Sequence, residues 1–87
     1  MEKLSLEDIE YIKILATSDS TILQLGMNDA TKSRLNDRIG KILSEYYREH
    51  TMDAISQWTK EFQKAGITED DGKSAIACAR RLGIDIS

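Results

Sequence analysis

Between Ala30 and His50 the chain runs ATKSRLNDRIGKILSEYYREH, its longest unbroken helical pattern, and no other stretch constrains the fold as strongly. At about 100° per residue, Leu35, Ile39, Ile42 and Tyr46 form a narrow apolar stripe with Leu43 beside it. That stripe must be buried, so the remaining segments read as its packing partners. Arg34, Arg38, Lys41 and Arg48 make a second stripe, but Glu45 falls within it and Asp37 precedes Lys41 by four residues. A run neutralised in this way reads as a solvated face rather than a nucleic-acid surface. Gly40, costly in mid-helix, lies on a small-residue strip with Ser33 and Ser44, flanked by Tyr47. Either another helix approaches closely there or the helix bends.

The partners of the stripe are also helical. Eleven Ile and eight Leu supply the core of this 87-residue chain, with no Val and no Pro. Lacking both turn prolines and a leading strand residue, it is unlike a sheet protein. At the N-terminus, Ser5 can cap a helix that begins at Leu6; Glu7 and Asp8 suit the positive end of its dipole, and Leu4 can staple onto Ile9. Ile9, Ile12, Leu15 and Ala16 face inward, Tyr11 lies at the edge and Ile14 points away. Residues 17–21 break the helix, and Ile22–Leu25 read as a short helix, less readily as an extended segment.

Leu25-Gly26-Met27-Asn28, Ala65-Gly66-Ile67-Thr68 and Leu82-Gly83-Ile84-Asp85 share one grammar of helix termination: a left-handed glycine, an apolar residue folding back, and a capping side chain. Residues 52–65 form the next helix, with Ile55, Trp58, Phe62 and Ala65 on one face. Thr68 and Asp71 then start a helix over 69–82 lined by Gly72, Ser74, Ala75, Ala77, Cys78 and Ala79. Folding the two back around Gly66 predicts Phe62 near Gly72, and Trp58 near Ala75 and Ala79.

Few residues carry chemistry. His50, the sole histidine, falls where a helix C-terminus favours an imidazolium. Glu45, Glu49, His50 and Asp53 lack the Glu-x-x-His spacing of helical di-metal sites, and Glu69-Asp70-Asp71-Gly72 lacks the alternating ligands of a calcium loop. Neither metal nor cofactor is expected. The single Cys78, on a small-residue face, reads as a packed thiol turned toward Trp58 and Phe62. No phosphate-binding loop or nucleophile elbow occurs, so the chain reads as not an enzyme, with Cys78 or His50 as the residues an enzyme would use. A helix-turn-helix over Phe62–Leu82, contacting DNA through Lys73, Arg80 and Arg81, is the principal alternative. Glu69, Asp70 and Asp71 at the start of its recognition helix would repel phosphate.

In size, acidity and helix count, and in the Tyr46-Tyr47 pair, the chain resembles the immunity proteins of DNase colicins. It departs from them in having Arg48 where that family has proline, and in lacking their carboxylate cluster. The resemblance implies that a small acidic helical protein acts by binding another protein.

The expected fold is therefore all-α, a single domain over 1–87, with four main helices near 6–17, 30–50, 52–65 and 69–82 and a short one at 20–25 in an antiparallel bundle. A net charge of −3 disfavours anionic partners, and one cysteine with no apolar leader or spanning segment fits a cytoplasmic protein. The expected function is a protein-interaction module, such as a regulator, adaptor or inhibitor. Tyr11, Ile14, Gly40, Ser44 and Tyr47 would form its partner surface, for another protein or a second copy of the chain. Against this, the short helix can simply cover Ile14.

Overall fold

In a computed structural model, residues 3–51 and 57–86 are described, without the side chains of residues 50, 51 and 57. The chain is all-α: α1 (Leu6–Thr17), α2 (Ser20–Gly26), α3 (Asp29–Arg34), a π-helical turn (Leu35–Ile39), α4 (Gly40–Thr51), α5 (Gln57–Lys64) and α6 (Glu69–Arg81). No strand occurs among the described residues. The expected helix start at 52–56, with Asp53 and Ile55, lies outside them, as does the side chain of His50.

Local chemistry sets the helix ends. Ser5 Oγ accepts the Asp8 N–H at 3.1 Å while Asp8 Oδ2 accepts the Ser5 N–H at 3.0 Å, a reciprocal capping box; Thr68 and Asp71 repeat it at α6. After α5, the Ile67 N–H reaches Phe62 O at 2.8 Å and the Gly66 N–H reaches Gln63 O at 3.1 Å. After α6, the Ile84 N–H reaches Ala79 O at 3.0 Å and the Gly83 N–H reaches Arg80 O at 3.1 Å. These are Schellman closures, with Gly66 at φ 77° and Gly83 at φ 84°, and with Ile67 and Ile84 folded back into the core. The third junction behaves differently. Gly26 ends α2 in helical conformation and Met27 follows in extended conformation, so only Asn28 acts as expected, capping α3 through the Thr31 N–H.

The stripe of the central helix is buried throughout: Leu35, Ile39, Ile42, Leu43 and Tyr46 are each at most 4% exposed. Ile12 and Leu15 of α1 join it, and α1 packs most extensively on α6. Tyr46 changes the expected pairing of the last two helices. Its ring stacks on Phe62 with centroids 4.4 Å apart, and a Cβ on Gly72 would stand 2.8 Å from its Cε1. Gly72 is thus a notch filled first by Tyr46, with Phe62 stacked on that ring, and α5 packs chiefly on α4 rather than on α6.

The central helix is not a plain α-helix. Its backbone widens at Leu35–Ile39, where the Gly40 N–H bonds to Leu35 O. Asn36 and Arg38, both within this turn, reach other parts of the chain. Arg38 binds the carboxylate of the buried Asp8, with Nη2 to Oδ2 at 2.9 Å and Nε to Oδ2 at 3.2 Å. Asn36 Oδ1 accepts the Asp85 N–H at 3.1 Å, and Ser44 Oγ donates to Asp85 O at 3.5 Å. Residues 84–86 therefore lie across Gly40, where an added Cβ would meet Ile84 Cγ2 at 3.0 Å. The close approach expected at Gly40 is made by this terminal segment and not by a helix.

Candidate functional site

An apolar groove lies where α1, α2 and α3 meet. Tyr11, Ile14 and Leu15 form one wall, Ile22 and Leu23 the other, and Met27, with Thr31 and Leu35, closes it. None of its lining residues is charged. The reason lies in α2, which is capped by Asp19 Oδ1 accepting the Thr21 N–H at 2.8 Å, yet buries none of its residues. Leu23 and Met27 only lean on the core, while Ile22 is 69% and Leu25 85% exposed. Ile14 remains 36% exposed, so α2 flanks it without covering it. At the end marked by Tyr11 and Leu35, the groove adjoins a polar cleft held by the Arg34–Glu7 ion pair at 2.8 Å and the Arg38–Asp8 pair.

The five residues expected to form one partner surface are separated. Tyr11 and Ile14 line the groove. Gly40 and Ser44 are buried beneath Ile84 and Asp85, and therefore present no surface. Tyr47 is 39% exposed with the Arg80 guanidinium 4.8 Å from its ring centroid, a cation–π contact. Ser33 borders a small polar recess with Lys32, Asn36 and Gly83. Ile22, Leu23, Leu25 and Met27 were not expected in a surface. Their signal was available: Ser20–Asn28 is the longest stretch without an Asp, Glu, Lys or Arg.

Cys78 is buried, as expected, within the same apolar core as Trp58 and Phe62, and it borders a recess shared with Leu15, Ala16 and the α1–α2 junction, beside Asp19 and Arg81. Burial pushes its thiol pKa up, Arg81 pulls it down and Asp19 pushes it up again, leaving it above the usual value. Such a thiol is a poor nucleophile at neutral pH. Among the described residues no three His, Cys, Asp or Glu side chains could hold a metal ion. Glu45 accepts the Trp58 indole N–H, and Lys73 pairs with Glu69 at 3.2 Å. Arg80 and Arg81 turn to different neighbours, Tyr47 and the Cys78 recess. No helix among the described residues is long and apolar enough to cross a membrane.

Comparison of the chain with protein-family models, with curated proteins and with solved structures found no match.

Proposed function

We propose that this chain is a non-enzymatic, cytoplasmic protein-interaction module, a small regulator, adaptor or inhibitor that works by surface complementarity through the α1–α2–α3 groove. One observation carries the reading: α2 contributes no buried side chain, yet holds Ile22 and Leu25 out to solvent beside an uncharged groove. A helix that neither fills the core nor carries charge is poorly explained by folding alone, because exposed aliphatic side chains in a cluster favour association. Tyr11 at the groove wall supplies an aromatic anchor of the kind that concentrates binding energy. The negative net charge and the unpaired cysteine suit a reducing, protein-rich compartment.

The test is site-specific photo-crosslinking in native lysate, with benzoylphenylalanine placed at position 22 or 25 and, as control, at the exposed Gln63 of α5. A discrete polypeptide captured from α2 but not from position 63, and lost on Ile14→Asp, supports the proposal. Equal capture from all three positions, or none from α2, contradicts it.

A further inference from the structure

We propose that the π-helical turn at Leu35–Ile39 is a two-register switch: side-chain ties to both ends of the chain hold it open, and straightening it releases both ties together. Two polar side chains of the turn hold opposite ends of the sequence. Arg38 holds the beginning, through the Asp8 carboxylate and through Nη2 donating to Lys3 O at 3.3 Å. Asn36 holds the end, where its Oδ1 accepts the Asp85 N–H at 3.1 Å and keeps Ile84 against Gly40. One backbone bond marks the register: the Gly40 N–H reaches Leu35 O, where an α-helix would use Asn36 O.

The sequence does not demand the wider turn. At about 100° per residue, Leu35, Ile39, Ile42 and Tyr46 already share one apolar stripe, so a straight α-helix would bury the same side chains. Nor is there a proline to break the α-helical ladder. Straightening restores one α-helical step and turns α3 by up to about 100° relative to α4. That segment buries none of its residues, so its rotation removes none of its own side chains from the core. The Arg34–Glu7 pair that would break joins side chains 72% and 57% exposed, and pairs so exposed contribute little. What opposes the rotation is the pair of ties. Asn36 and Arg38 sit two residues apart in one turn, so a change of register redirects both side chains at once. Each tie therefore stabilises the other, although Asp8 and Asp85 lie at opposite ends of the chain. The Arg38–Asp8 pair also walls the polar cleft beside the groove, so an event in that cleft reaches residues 84–86 through the turn. Release there uncovers Gly40 and Ser44 and frees Ile84 and Ile86, now 3% and 8% exposed.

Through-hydrogen-bond NMR couplings in the isotopically labelled full chain read the register directly. In the wild type the Gly40 amide should couple to the Leu35 carbonyl. Asp8→Asn removes the charge that holds Arg38, and should transfer part of that coupling to the Asn36 carbonyl. It should also speed exchange of the Asp85 amide at least about fivefold, the low end of ordinary coupling between sites. The Ile67 amide, bonded to Phe62 O and part of neither tie, should not follow. Coupling is reciprocal, so Asn36→Ala should speed exchange of the Arg38 Nε proton by a similar factor. Residue 36 is exposed, and this variant decides the matter if circular dichroism shows that Asp8→Asn has not folded. A wild-type Gly40 amide not coupled to Leu35, a coupling that stays on Leu35 in both variants, ties that each loosen alone, or equal acceleration at Ile67 and Asp85 would overturn the proposal.

Discussion

Three glycines of this chain do three different jobs, and alanine separates them. At Gly72 a Cβ would collide with the Tyr46 ring, itself stacked on Phe62, so Gly72→Ala should cost about 1–3 kcal/mol through overpacking. At Gly66 there is open space but φ is 77°, so Gly66→Ala should cost about 1 kcal/mol from backbone strain alone. Gly26 has both space and helical backbone, so Gly26→Ala should be neutral or stabilising by about 0.5 kcal/mol. Urea unfolding of the three variants checks the order. Asp8 makes folding sensitive to acid. Burial pushes its carboxyl pKa up, but hydrogen bonds from Arg38 and Ser5 outweigh that and hold it below the ordinary value. With the folded pKa below the unfolded one, its contribution is complete above the unfolded value of about 3.9 and is lost as pH falls through the folded value. The stability difference between wild type and Asp8→Asn, measured against pH, should therefore shrink on acidification in that range. A difference that stays constant would mean that the Arg38 contact contributes nothing.

At the scale of elements, the sequence was most legible where chemistry is local. The apolar stripe of the central helix, the N-caps at Ser5 and Thr68 and all three glycine helix ends, two of them left-handed, lie where the residues imply, because each depends on neighbours within a turn or two. Contacts between distant residues were not legible. Arg38 looks like one member of a solvated stripe until the π-helical turn directs it to Asp8, thirty positions away. A hairpin of the last two helices pairs Gly72 with Phe62, whereas the ring nearest the notch, that of Tyr46, comes from α4. The small strip at Gly40 and Ser44 marked a close approach correctly, but nothing in its composition tells a partner helix from the chain's own residues 84–86. Of the groove lining, Tyr11 and Ile14 were legible from their misfit to the helix stripe, whereas the α2 wall shows only as an absence of charge. From this follows a prediction about α2: with no buried side chain, its amides should exchange with solvent far faster than those of α1 and α6. Hydrogen exchange checks it. Slow exchange in α2 would show that the helix is held by the core after all.

At the scale of the whole molecule, the Cα radius of gyration is 12.1 Å against about 12 Å for a packed domain of this length. The fold thus reaches ordinary compactness while α2 touches the core only at its edge, through Leu23. On this reading, the outward side chains of α2 serve recognition rather than stability. Denaturant unfolding of the double variant Ile22→Ser, Leu25→Ser tests this most directly. The unfolding free energy should change by no more than about 0.5 kcal/mol, as for surface substitutions away from structural features. A loss of about 2 kcal/mol or more, the scale of truncated core residues, would contradict it and return α2 to the core.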